Sequence, residues 1–248
     1  MKNKNYNNYY DRISNEYNSI RLDAKNEMEY GIAVIKKYVY SQNAKILDIG
    51  CGTGKYGEMM QKNGYKVIGI DKSEKQIKQS QQLIESHLAN AINLPFDDNS
   101  FDACTMIMMI QQLSKEERIK AFKEVYRVLN NNGTLIIKTC SHDDLQHRHT
   151  DIFFPRTLII DKERYPDIDE LRKELSDFSK IEVENASVIV ERSKEFFLEQ
   201  YKKRGTSNLS FLTDEEITNG IKTFEEKYKE QDIIQTISKR TFVIARKD

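Results

Sequence analysis

An apolar run that ends in an acid and opens straight into alternating glycines constrains this chain more than anything else in it. Lys45 to Lys55 reads KILDIGCGTGK. Ala44 to Ile49 has the character of a buried parallel strand. Gly50, Gly52 and Gly54 then allow a sharp turn and expose main-chain N–H groups with no Cβ in the way. Three alternating glycines cost stability unless something fills the space they open, so a ligand is expected there. About twenty residues on, as in nucleotide-binding βαβ units, Lys66 to Ile70 (KVIGI) reads as a second buried strand. It ends in Asp71, where an acid can meet a pair of ribose hydroxyls. Two adjacent strand ends therefore converge on one nucleoside.

The glycine spacing separates one nucleoside from another. A dinucleotide fingerprint needs G-x-G-x-x-G, and counting from Gly50 and Gly52 its third position falls on Lys55. The chain places Gly54 one residue earlier, which disfavours NAD.

At 248 residues the chain fits one elaborated core domain. Charged residues make up 31% and apolar ones 38%, and no apolar run approaches the ~18 residues that a membrane span requires. The start, MKNKNYNNYY, is polar without an apolar centre, so no secretory signal and a cytoplasmic location are expected. Lys plus Arg equals Asp plus Glu at 39 each, so the whole-chain field gives no reason to expect nucleic acid. Cys51, Cys104 and Cys140 have neither CxxC pairing nor zinc-ligand spacing and read as reduced, buried thiols.

Strand and helix signals then alternate. Met28, Ile32, Ile35 and Val39 mark an amphipathic helix over 27–40. Lys55 to Asn63 reads as a helix stopped by Asn63-Gly64. Ser73 caps the next, with Gln76 at the capping-box position. A short third strand is expected near His87 to Ile92, and Phe101 to Ile110 (FDACTMIMMI) reads as a central strand covered on both faces. Ser114 to Leu129 is a capped helix stopped by the turn Asn130–Gly133, and Thr134 to Thr139 is a fifth strand. Such alternation implies right-handed crossovers, a parallel sheet, and a ligand at the carboxyl ends of its strands. From Ser141 to Pro166 the pattern breaks into what reads as an irregular segment over that edge. Asp167–Asp177, Ser193–Lys203 and Thr213–Lys229 read as helices, Lys180–Val190 as a sixth strand and Arg240–Arg246 as the last.

The D-x-G-x-G-x-G pattern from Asp48 to Gly54, followed by Asp71, resembles motif I and the acidic loop of class I S-adenosylmethionine-dependent methyltransferases. NLPFDDNSFD from Asn93 to Asp102 and EVYRVLNNNGTLIIK from Glu124 to Lys138 extend the resemblance to the ubiquinone- and menaquinone-biosynthesis-like branch. It implies an α/β fold: a Rossmann-like doubly wound, mostly parallel seven-stranded sheet, helices on both faces and a helical or irregular cover over the active edge. It implies a methyltransferase domain over 27–248, with cover insertions at about 141–166 and 193–230, and an N-terminal lid segment over 1–26. S-adenosyl-L-methionine is the implied cofactor and S-adenosyl-L-homocysteine the product.

Carried onto this chain, the resemblance assigns Asp48, Gly50, Gly52 and Gly54 to the methionine part of the cofactor and its surroundings, with Cys51 inside the loop. It assigns Asp71 to the ribose and Lys72, Asn90 and Ala91 to the adenine edge. Met106 in the fourth strand and Gln111 after it complete the implied set. Tyr10, Tyr17 and Arg21 match lid residues that approach the methionine carboxylate. Gln111 and Gln112 stand where the branch often has His-His, and Asn131, Asn132 and Gly133 where it has Pro-Gly-Gly.

Methyl transfer from a sulfonium is an in-line displacement with an activated donor, so positioning supplies much of the acceleration. Where the acceptor must lose a proton, a histidine is the default base, and His142 is the candidate beside His147 and His149. No acidic partner pattern supports a metal there. A small-molecule acceptor is expected, with no nucleic-acid or membrane partner. No N-P-P-Y-type tetrapeptide follows the fourth strand, and Lys202, Lys203 and Arg204 sit among glutamates as a solvated helix end. An RNA or peptide methyltransferase, or a cofactor-binding regulatory module without turnover, stands as the alternative.

Overall fold

The protein is described from a computed structural model, which covers Tyr9 and residues 25–248. The seven strands are β1 (Lys45–Ile49), β2 (Lys66–Asp71), β3 (Glu85–Leu88), β4 (Phe101–Ile107), β5 (Leu129–Thr139), β6 (Lys180–Ser193) and β7 (Ile233–Arg246). They form one sheet in the order β3-β2-β1-β4-β5-β7-β6. The first five pair in parallel, whereas β7 runs antiparallel to both β5 and β6. This is the doubly wound, mostly parallel α/β architecture that the resemblance implied.

Helix α1 (Lys25–Tyr38) precedes β1, α2 (Lys55–Lys62) follows it, α3 (Glu74–Ser80) follows β2 and α4 (Lys115–Val128) follows β4. Successive side chains of a strand point to opposite faces, and the core divides accordingly. Ile46 packs with Ile35, Met60, Val67 and Ile244 on the face covered by α1 and α2. Leu47 packs with Met106, Phe122, Val125 and Ile137 on the face covered by α4. Strands buried on both faces carry no polar alternation, which is why they read as continuous apolar runs.

Arg118 of α4 also reaches α8 (Ile168–Glu174), where its guanidinium makes a two-point pair with Glu174. Fork-to-fork geometry of this kind fixes one relative orientation of the two helices.

The third strand lies earlier than expected. Register pairing ends at Asp71↔Leu88, and Asn90 turns back to bridge Asn93. The Asn130–Gly133 stretch, expected as a turn, lies within β5. Leu129 pairs with Phe101 and Thr134 with Ala103, so the intervening residues bulge out of register, with Asn132 in the left-handed region at φ 64°. Asparagine tolerates that conformation better than most residues.

The segment read as irregular is helical: α5 (His142–Gln146), α6 (His149–Phe153) and α7 (Arg156–Arg164). Ser141 starts α5 through a reciprocal cap, accepting from Asp144 N while Asp144 accepts from Ser141 N. With α9 (Lys194–Lys202), α10 (Asp214–Lys227) and a 3-10 turn at Ser207–Phe211, α6 and α7 build a third apolar cluster above the carboxyl edge. Phe153, Phe154, Phe197, Tyr201 and Phe224 interlock there, many of them edge to face. Each such ring contributes roughly 1.5–3 kcal/mol through burial. Gly220 of α10 is required by this packing, since a Cβ there would lie 2.1 Å from Phe154 Cε1. The lid expected over residues 1–26 lies almost wholly outside the described residues, with Tyr10, Tyr17 and Arg21 among them. Tyr9 is described, and its hydroxyl donates to the Gly205 carbonyl at 2.7 Å.

Candidate functional site

The glycine loop turns between β1 and α2. Gly50 N and Cys51 N both donate to Ile70 O, at 2.8 and 2.9 Å, which ties the turn to the end of β2. Gly50, Gly52 and Gly54 all have positive φ, at 72°, 55° and 82°. Two of them are also required by neighbours: a Cβ on Gly50 would lie 3.0 Å from Met109 Cβ, and one on Gly54 3.0 Å from Ser80 Cβ. Gly52 differs. A Cβ there would meet no heavy atom nearer than Gln76 Oε1, at 3.8 Å, so this glycine faces open space.

Two acids flank that space. Asp71 accepts from Gly52 N at 3.0 Å through Oδ2 and from Ser73 N at 2.9 Å through Oδ1. Burial pushes its carboxyl pKa up against these two bonds. Each carboxylate oxygen has two lone-pair sites, so both can still accept from a hydroxyl. Asp48 accepts from Thr105 Oγ1 at 2.8 Å through Oδ1, and its Oδ2 is buried without a partner. Burial, more than the Asp71 charge, pushes its pKa up to about 6. A buried acid oxygen left over at a ligand cradle suits a cationic or N–H donor group on that ligand.

A cleft of about 310 Å³ extends from this loop. Asp48, Gly50, Cys51, Gly52, Tyr56 and Met108 form its loop side. Glu27 of α1 borders it, held by Ser238 Oγ at 2.8 Å and Arg240 Nη2 at 2.9 Å. The cover helices supply the opposite wall, including Arg148, His149, Asp161, Tyr165, Phe197 and Asn208. Asp161 is the hub of that wall, accepting from Arg148, from Arg164 at 2.8 Å and from Asn208 at 2.7 Å.

The structure sorts the expected site residues. Asp48, Gly50, Cys51 and Gly52 line the cleft together. Gly54 turns the loop, and Asp71 braces it. Met106 is fully buried in the core beneath α4, because positions 104 and 106 of β4 share the face away from the cleft; Met108, past the strand end, reaches it instead. Ala91 is likewise a core residue, and Asn90 is exposed with Oδ1 accepting from Ile92 N. Lys72 is exposed. Gln111 donates from Nε2 to Met108 O at 2.5 Å and does not line the cleft.

His142, the expected base, is not among the residues that line this cleft. Its Nε2 lies 2.9 Å from the Tyr165 carbonyl and its Nδ1 3.9 Å from Asp167, outside the cleft lining. His147 bonds the Asp143 carbonyl. Of the three histidines in this segment, His149 is the one that lines the cleft. Tyr228 Oη stands 2.9 Å from its Nε2 and Tyr201 Oη 3.4 Å from its Nδ1, with the Phe197 ring 5.0 Å away. Burial and the Lys227 charge lower its pKa to about 4, so it is neutral at pH 7. The thiols of Cys51, Cys104 and Cys140 are pushed up by burial and are not nucleophiles at neutral pH. Asp161, Tyr165 and Tyr56, whose Oη lies 2.6 Å from Lys138 Nζ, went unsignalled because none of the three belongs to a quoted motif.

Residues 47–137 match the family model described as a methyltransferase domain. A demethylmenaquinone methyltransferase of Lactiplantibacillus plantarum is 32% identical over 117 residues, covering 42% of this chain and 48% of that protein. The chain thus spans about half the length of the curated relatives it matches. Other relatives are named as tRNA methyltransferases. Among solved structures, a putative methyltransferase from an antibiotic biosynthesis pathway of Anabaena variabilis superposes with a TM-score of 0.69 at 21% identity, covering 88% of this chain and 96% of that one. The phosphoethanolamine N-methyltransferase 2 of Haemonchus contortus, solved with phosphomonomethylethanolamine and S-adenosylhomocysteine, gives 0.63 at 18% identity, covering 97% and 59%. These two likenesses are of fold. The fold is that of these methyltransferase structures, and residues 47–137 match a methyltransferase domain.

Proposed function

We propose that the chain transfers the methyl group of S-adenosylmethionine to a small-molecule acceptor held between the glycine loop and the cover helices. The observation that carries this is the open face of Gly52 in the same cleft as buried Asp48, whose Oδ2 has no partner and suits a ligand with a cationic end. When bound, the sulfonium supplies a methyl group already activated toward displacement. Asp48 is read as holding the positive methionine end, and the exposed main-chain turn as letting the sulfonium approach the cleft. Asp71 is read as the acceptor for the ribose hydroxyls.

The cover excludes water from the path of attack and fixes the acceptor in line, which is where proximity supplies rate. His149 is the histidine that lines this space, where burial keeps its imidazole neutral and its ring and the neighbouring tyrosine hydroxyls offer a polar wall to an acceptor. The cleft has an aromatic and polar wall, as expected for a site that encloses a small molecule.

Isothermal titration of the purified protein with S-adenosylhomocysteine, with NAD in parallel, tests the cofactor. Micromolar binding of the first alone is expected, and failure of S-adenosylhomocysteine to bind overturns the reading. Mass spectrometry of small-molecule pools and of tRNA incubated with S-adenosylmethionine tests the acceptor. A 14 Da gain in tRNA alone would replace the small-molecule reading.

A further inference from the structure

Gln76 is 1% exposed, and neither Nε2 nor Oε1 of its side chain has a hydrogen-bond partner. Its position three residues after the cap Ser73 suits a capping box, in which its carboxamide would turn back to Ser73 N. The structure gives that N–H to another acceptor: Asp71 Oδ1 takes it at 2.9 Å. Ser73 still caps the backbone of Gln76, whose N–H donates to Ser73 Oγ at 3.4 Å. The backbone of Gln76 is therefore fixed while its side chain is released. The released amide borders the open face of Gly52, as the nearest heavy atom to where a Cβ would project. Gly52 N is itself bonded to Asp71 Oδ2. One acid thus braces the glycine loop and takes the N–H that the Gln76 carboxamide would otherwise cap.

A buried primary amide with no partner is costly in a protein that only needs to fold, and a methionine of similar length would fill the same place. We propose that Gln76 is a cofactor-binding residue whose carboxamide hydrogen-bonds the ribose hydroxyl edge of S-adenosylmethionine beside Asp71. The chemistry matches: vicinal hydroxyls are both donors and acceptors, and a carboxamide offers both roles where a carboxylate only accepts. Asp71 takes hydroxyl protons, and Gln76 gives an N–H to a hydroxyl oxygen that Asp71 cannot serve. The inference rests on the cofactor reading above.

The test compares the wild type with Gln76→Met in two measurements: affinity for S-adenosylhomocysteine by calorimetry, and thermal unfolding of the ligand-free protein. The expected result is a loss of affinity of at least tenfold with a melting temperature unchanged or raised, because the variant removes an unpaired buried amide. An affinity loss smaller than tenfold overturns the assignment. A weakened affinity accompanied by a lowered melting temperature also overturns it, since the amide would then serve the fold. Absence of S-adenosylhomocysteine binding by the wild type would instead defeat the cofactor reading itself, so the two failures are distinguishable.

Discussion

Thr105 Oγ1 donates to Asp48 Oδ1 at 2.8 Å across two adjacent parallel strands, leaving Oδ2 of the same buried acid unpaired. The folded carboxyl therefore titrates near 6, above its unfolded value. Asp48 binds a proton more readily in the folded chain, so its contribution to stability falls as pH rises from about 4 to about 6 and stays low above that. Asp48→Asn keeps an acceptor for Thr105 and removes the charge. The ligand-free variant should be more stable than wild type at pH 8, by on the order of 3 kcal/mol at most, while its affinity for S-adenosylhomocysteine falls. Denaturant titration and calorimetry at pH 8 check both signs, and a destabilised variant would show that the ionised acid has a partner.

His149 gives the opposite dependence. Its folded pKa, near 4, lies below its unfolded value, so the folded chain binds fewer protons than the unfolded one between those limits. Its stabilising contribution is complete above about pH 6.5 and is lost as pH falls toward 4. His149→Asn should flatten the decline in melting temperature between pH 6.5 and 4.5 relative to wild type. Parallel melting curves for the two proteins across that range would count against a buried neutral imidazole.

Arg118 Nε and Nη2 bond Glu174 Oε2 and Oε1 at 2.8 and 2.7 Å, and both side chains are nearly inaccessible. Glu174→Ala leaves the guanidinium buried beside the more exposed Glu170, 3.5 Å away. The change should cost roughly 3–5 kcal/mol, the usual range for breaking a buried pair, less what Glu170 recovers. Since neither residue lines the cleft, affinity for S-adenosylhomocysteine should stay within threefold of wild type. Urea denaturation and calorimetry separate the two quantities.

Gly52→Val places a branched side chain in the open face of the loop, at a φ of 55° that β-branched residues avoid. Binding of S-adenosylhomocysteine should be lost, with the far-ultraviolet circular dichroism of the fold retained. A normal titration would remove Gly52 from the cofactor cradle.

Gly220→Ala tests the cover independently of the loop. The new methyl group collides with Phe154 and with the Phe153 carbonyl, 2.8 Å from the ideal Cβ. Overpacking of this kind typically costs about 1–3 kcal/mol. Faster proteolysis between α7 and α10 is the expected readout, and an unchanged cleavage rate would show that the cluster yields at no cost.

The half of the molecule built from central strands was legible because two-sided burial imposes an apolar run that few other structures share. Ala44–Ile49 was read nearly at its true bounds for this reason, and Phe101–Ile110 began correctly but overran the strand, which ends at Ile107. Asn130–Gly133 was misread because the residues that favour turns also favour bulges, and only pairing with Phe101 decides between them. The α5–α7 stretch was missed because its helices have 5, 5 and 9 residues, mostly too short for a period of 3.6 to show. Met106 came with the resemblance, and the structure places it in the core beneath α4 rather than in the cleft lining. The capping pattern at Gln76 was visible but misleading, because the acid that outcompetes it for Ser73 N acts through a turn whose geometry the sequence does not print.

The cover helices α9 and α10 lie in the connection between β6 and β7, whose 14 paired residues bring the chain out to the cover and back to the sheet. Everything between those strands can lengthen, shorten or be exchanged without touching a residue of the glycine loop. On the reading proposed above, part of the acceptor wall and the donor loop thus lie on separate stretches of the chain. A graft of the 194–232 segment from another chain onto this hairpin is the natural route to a new acceptor.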